Sequence, residues 1–111
     1  MGGQMISTHI LDTGCGQPAA SVNVELEKQD GENWSKVDAN NTNDDGRISF
    51  NCPSEAGMYR LCFAVGEYYK RSNTECFFPQ AHIVFEVKDT NRKYHVPLLL
   101  NSFGYTTYRG S

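Results

Sequence analysis

The chain has 111 residues, 39% of them hydrophobic and 21% charged, with a formal net charge of −3. That length suits one domain with a modest core. The weak acidity, without any run of Lys and Arg, excludes the basic stripe of a nucleic-acid surface, and no apolar stretch reaches the roughly 18 residues of a membrane span. The opening MGGQMISTHILD has neither a basic n-region nor an apolar h-region, so it does not read as a signal peptide. Residues 1–5 are expected to be a disordered extension and residues 6–111 a single domain.

The hydrophobic period is mostly two. Ile6, Thr8 and Ile10 alternate with Ser7, His9 and Leu11, until Gly14 to Pro18 breaks the run. Val22, Val24 and Leu26 alternate with Asn23, Glu25 and Glu27, and the two glutamates read as a solvated face. Asp30-Gly31 marks a turn. Trp34 to Ala39 is a weaker strand, and Asn40 to Gly46 a turn cluster whose Asp45-Gly46 signals a hairpin. Arg47 to Phe50 starts the next strand.

After Pro53 to Gly57, the run MYRLCFAV puts Tyr59, Leu61, Phe63 and Val65 on one face. Gly66 to Asn73 is the one place for a short helix. Ala81, Ile83, Phe85 and Val87 alternate again, Asp89 to Lys93 is a loop, and Tyr94 to Leu100 and Gly104 to Tyr108 are the last strands. Seven to eight short strands separated by turns predict an all-β, antiparallel β-sandwich with one short helix. Pro97 cannot donate to a ladder, which predicts an edge or bulged strand there. An apolar edge invites pairing with a second copy.

Cys15, Cys52, Cys62 and Cys76 include no Cys-x-x-Cys pair, so a zinc knuckle is not expected and free thiols are. His9 and His95 lie on strands. Each is either a structural histidine or, as the side chain that titrates nearest neutrality, a general base. Arg47 is either a solvated arginine after a turn or a clamp for an anion or carbonyl, suited by its planar fork of donors; Arg109 has the same two readings. No nucleophile elbow, phosphate loop or metal-site spacing is present. Spacing alone names no reaction.

Four stretches together, THILDTGCGQPA (8–19), TNDDGR (42–47), YHVPLLL (94–100) and FGYTTYRGS (103–111), resemble the transthyretin-related protein family, and within it the 5-hydroxyisourate hydrolase branch. FFP (77–79) before an alternating strand also fits. The likeness runs from Ile6 to the end. It departs at Asn101-Ser102, where Ser-Pro is common, and at Gln80-Ala81, where an acidic residue and Val are common. The carrier branch lacks the histidines, the arginine and the Tyr-Arg-Gly-Ser of the enzymes, so His9, Arg47, His95 and residues 108–111 place the resemblance on the hydrolase side.

The resemblance implies a transthyretin-like sandwich assembled as a homotetramer, a dimer of dimers, with active sites in clefts built by more than one chain. It implies hydrolysis of 5-hydroxyisourate in urate degradation, a step of purine catabolism, with no metal or other cofactor. His9, Arg47, His95 and Ser111 would be catalytic. Arg47, Tyr108, Arg109, Gly110 and Ser111 would bind substrate, with Tyr108 to Ser111 held by a neighbouring subunit. The alternative is a carrier of thyroid hormone or another small hydrophobic ligand. The expected compartment is cytoplasmic, with the peroxisome as the alternative; the chain does not end in Ser-Lys-Leu.

Overall fold

The structure, a computed structural model, describes the backbone of residues 2–3 and all of residues 5–110. In chain order the elements are β1 (Gly2–Gly3), β2 (Ile6–Asp12), β3 (Gln17–Pro18), β4 (Asn23–Asp30), β5 (Asn33–Asn41), β6 (Arg47–Ser49), β7 (Cys52–Pro53), β8 (Gly57–Phe63), α1 (Val65–Lys70), β9 (Ala81–Val87), β10 (Tyr94–Asn101) and β11 (Gly104–Thr107). Every alternating run in the sequence forms a strand. The short helix overlaps the stretch Gly66 to Asn73 but opens one residue earlier, on Val65, which the alternation puts on the face of the preceding strand.

One sheet runs β11-β10-β2-β3, with β6 also paired to β2; the other runs β5-β4-β8-β9. The inner faces meet in a dry core. Ile6, Ile10, Leu98 and Leu100 come from the first sheet and Val24, Leu26, Tyr59, Leu61 and Phe63 from the second, all essentially inaccessible. Burial of these side chains is the main stabilising term, each contributing roughly 1.5–3 kcal/mol relative to exposure. Thr8 also points inward, and its hydroxyl is satisfied by donating to the Val96 carbonyl at 2.6 Å, as a buried polar group requires.

All the described strand pairs are antiparallel except β2 with β10, which run parallel. This places β10 in the interior of its sheet, so Pro97 is not on an edge strand. Pairing with β11 reaches only Leu98 opposite Thr107. The position beside Pro97 therefore needs no amide donor, and the Pro97 carbonyl instead accepts the Thr107 hydroxyl at 2.6 Å. The edge strands are β11 and, on the far side of β2, the short β3 and β6; in the other sheet they are β5 and β9.

The Asp45-Gly46 turn is not a hairpin, because β5 and β6 belong to different sheets. Buried Thr42 holds the crossing: its amide donates to Val22 O at 2.9 Å, and its hydroxyl donates to Ala19 O at 2.7 Å. Glu27 departs from a solvated face. Its carboxylate takes Arg60 Nε and the Cys62 thiol at 2.7 and 3.1 Å, and the Arg60 guanidinium lies 4.5 Å from the Trp34 ring centre. Met5 is buried, its carbonyl accepts the Tyr94 amide at 2.7 Å, and β1 pairs with β7.

Candidate functional site

The outer face of the β2-β6-β10 sheet collects the polar residues that alternation excludes from the core. On β2, Ile6, Thr8, Ile10 and Asp12 are buried while Ser7, His9 and Leu11 stand half-buried on the other face. On β6, Ile48 goes inward, leaving Arg47 and Ser49 exposed. His9 is directly opposite Arg47 in the antiparallel register, a pairing that puts Cβ atoms about 5 Å apart. His95 lies beside Ser7 in the parallel register.

The loop before β6 aims Arg47. Asn43 Oδ1 accepts the Asp45 and Arg47 amides at 2.9 and 3.0 Å, and Gly46 O accepts the Ile10 amide at 2.8 Å. Gly46 has φ +74°, and a Cβ there would come within 2.5 Å of the Ile10 carbonyl oxygen. Only glycine lets the chain approach β2 this closely.

A cleft of about 270 Å³ opens over this face, lined by Ser7, Arg47, Ser49, Lys93 and His95 among others. His9 is not in its lining and stands beside it, across from Arg47. Ser7, Ser49 and Lys93 were not anticipated. The signal for the two serines was present: each is two residues from a predicted site residue on a strand, and so shares its face.

His95 is held on three sides. Its Nδ1 is 2.8 Å from Ser7 Oγ. Its carbonyl accepts the Gly110 amide at 2.8 Å, forming an isolated bridge beyond the end of β11. A Cβ on Gly110 would fall 2.6 Å from His95 Cδ2. Gly110→Ala is therefore expected to push the imidazole or the 108–110 segment out of place. Misplacement of about 1 Å can cost on the order of 10²-fold in turnover. Steady-state kinetics should show that loss with the melting temperature almost unchanged, because the segment lies outside the core.

Burial, then the nearby Arg47 guanidinium, then His9 hold the His95 pKa below its ordinary 6.5. The folded protein binds a proton at His95 less readily than the unfolded chain does. The resulting stability is fully present above about pH 6.5 and is lost as pH falls from there toward the lower folded value. Chemical denaturation between pH 7.5 and 5 should show this loss, and His95→Gln should remove its share.

Tyr108 and Arg109 turn away from this cleft. The Arg109 guanidinium stacks on Tyr94, 4.5 Å from the ring centre. Both residues line a second, mainly apolar cavity of about 220 Å³ with Ile83, Phe85 and Thr107, which His95 also borders. Within one chain the structure thus brings His9, Arg47, His95 and Gly110 to one face, but not Tyr108 or Arg109. Residue 110 is tied down by its own chain. Ser111 lies outside the described residues. Among those residues no group of three or more His, Cys, Asp or Glu could hold a metal ion. The four cysteines are free thiols. Among the described residues no helix is long and apolar enough to cross a membrane.

The profile of the HIUase/Transthyretin family matches residues 6–110. The chain belongs to the HIUase/transthyretin family. Among members of this family, the 5-hydroxyisourate hydrolase of Salmonella dublin is 42% identical, aligned over 99% of this chain and 83% of its own. The structure of the Klebsiella pneumoniae 5-hydroxyisourate hydrolase superposes with a TM-score of 0.83 at 37% identity, covering 96% of this chain and 98% of that one. Sea bream transthyretin in complex with thyroxine superposes with a TM-score of 0.90 at 28% identity, covering 96% and 94%. Backbone likeness thus does not separate the family's two branches, and function has to be argued from the site.

Proposed function

We propose that the protein hydrolyses 5-hydroxyisourate to 2-oxo-4-hydroxy-4-carboxy-5-ureidoimidazoline, in urate degradation. The observation that carries this reading is the juxtaposition of His9 and Arg47 as direct cross-strand partners, next to a His95 that stays neutral more readily than an ordinary histidine. Hydrolases of this substrate among its relatives support it.

Opening a cyclic amide needs a base for water, a donor for the carbonyl oxygen and a proton for the departing nitrogen. His9 takes a proton from water as the oxygen attacks the ring carbonyl. Negative charge grows on the carbonyl oxygen, where the Arg47 guanidinium answers it. The carbon–nitrogen bond then breaks and opens the ring, the nitrogen takes a proton, and the former carbonyl carbon becomes a carboxylic acid that gives its proton to solvent. His95 orients the ring or protonates that nitrogen. Ser111, Tyr108, Arg109 and Gly110 contact substrate in the assembled site.

The working particle is a homotetramer, a dimer of dimers, in the cytosol. Two observations favour assembly. Strands β9 and β11 each leave one edge unpaired within the chain, and Val84 and Tyr108, 51% and 56% exposed, flank an apolar cavity beside those edges. Such an edge and patch suit contact with another copy.

The direct test follows ultraviolet decay of freshly generated 5-hydroxyisourate, with a thyroxine titration in parallel. Accelerated decay is expected. Decay at the spontaneous rate, together with saturable thyroxine binding, would assign the chain to the carrier role instead.

A further inference from the structure

We propose that Ser7 is a positioning residue whose hydroxyl donates to His95 Nδ1, fixing the imidazole proton on Nε2, the nitrogen left to face the cleft. This rests on the hydrolase reading of the same cleft and decides between the two roles left to His95. The separation of 2.8 Å is a hydrogen bond in either direction. Ser7 Oγ has no other hydrogen-bond partner among the described residues, so His95 Nδ1 is the one acceptor there for its hydrogen. In the opposite direction the hydroxyl hydrogen would have no acceptor among the described residues and would be left to solvent in the cleft.

The rest of the ring's surroundings agree. Gly110 packs on the Cδ2 edge and Ser7 holds the Nδ1 edge, so the distal end of the ring is the part free to meet a ligand. The charged and titratable groups around it are His9 on β2, Arg47 on β6, Lys93 ahead of β10, and Glu86 on β9 with Tyr94, Tyr108 and Arg109 on the side of the second cavity. Of these, Arg47 and then His9 disfavour a second proton on the ring, as nearby positive charge does.

The chemical consequence is a division of labour. An Nε2–H imidazole offers the substrate a hydrogen-bond donor and has no free lone pair at the cleft with which to act as base. His9 is then the base, and the proton it takes from water is the one returned to the departing nitrogen. His95 ends each cycle with the proton it began with. Ser7 acts through His95.

Nitrogen-15 NMR of histidine-labelled protein reads the arrangement without any substrate. The wild type should show His95 with Nε2 protonated and Nδ1 bare but shifted by an accepted hydrogen bond. Ser7→Ala should move Nδ1 to the position of an unbonded acceptor, and Ser7→Thr should restore it. In the decay assay Ser7→Ala should lose about tenfold or more in kcat, part of the 10²–10⁴ that a positioned acid–base group supplies, and Ser7→Thr should recover most of it. A wild-type His95 protonated on Nδ1, or an Nδ1 resonance unmoved in Ser7→Ala, overturns the proposal. So does Ser7→Ala turning over at the wild-type rate. A wild type that shows the expected resonances but never accelerates decay overturns the hydrolase reading, and with it the role given to Ser7.

Discussion

His9→Ala is expected to reduce kcat for 5-hydroxyisourate by roughly 10²–10⁴, the contribution of a well-placed general base, and to leave the fold intact. The side chain stands half-buried on the outer face of β2 and makes no side-chain hydrogen bond among the described residues. Its removal opens no cavity among the core residues and strands no buried donor. A stability change of about 1 kcal/mol or less is therefore expected. Stopped-flow decay kinetics and a thermal melt on the same preparation separate the two effects. Turnover at the wild-type rate would remove His9 from the mechanism. A lost melting transition would mean that the histidine supports the fold instead.

Arg47→Ala should cost on the order of 10²–10³ in kcat, the range seen when one donor to a developing oxyanion is removed. Arg47→Lys should recover only part of this, because an ammonium keeps the charge but not the planar fork. The turn should survive both changes, since Asn43 Oδ1 binds the backbone amide of residue 47 and not its side chain. Circular dichroism should accordingly be unchanged. If Arg47→Ala raises KM while kcat stays the same, the guanidinium binds substrate and transition state equally and has no oxyanion role.

Period-two alternation made most of this fold legible. Ile6 to Leu11, Met58 to Phe63 and Ala81 to Val87 form strands because one face of each must be dry, and that requirement is written into each segment locally. Long-range choices were not legible. Asp45-Gly46 carries the chemistry of a tight turn whether the next strand returns to its neighbour or crosses to the other sheet. What sends it across is Thr42 binding Ala19 and Val22, partners some 20 residues away. Pro97 misled for a similar reason. Its missing donor matters only on the side where a neighbour would receive it, and β11 stops one residue short of that place.

The site was partly legible. The residue types in His9, Arg47 and His95 suggested acid–base and anion chemistry, and the sheet does gather them on one face. Ser7 was passed over although its spacing of two from His9 puts both on one face. Its meaning comes from a parallel neighbour 88 positions along the chain. Arg109 illustrates the reverse. Its type suggested a substrate clamp, yet within one chain its guanidinium stacks on Tyr94.

A crystal structure with a non-hydrolysable isostere of the 5-hydroxyisourate ring tests the whole account most directly. The ring should sit on the outer face of β2, β6 and β10, with a carbonyl oxygen within hydrogen-bond distance of the Arg47 guanidinium and both His9 and His95 in contact with it. A ring bound in an apolar channel or at another cavity, with those three side chains unengaged, would contradict it.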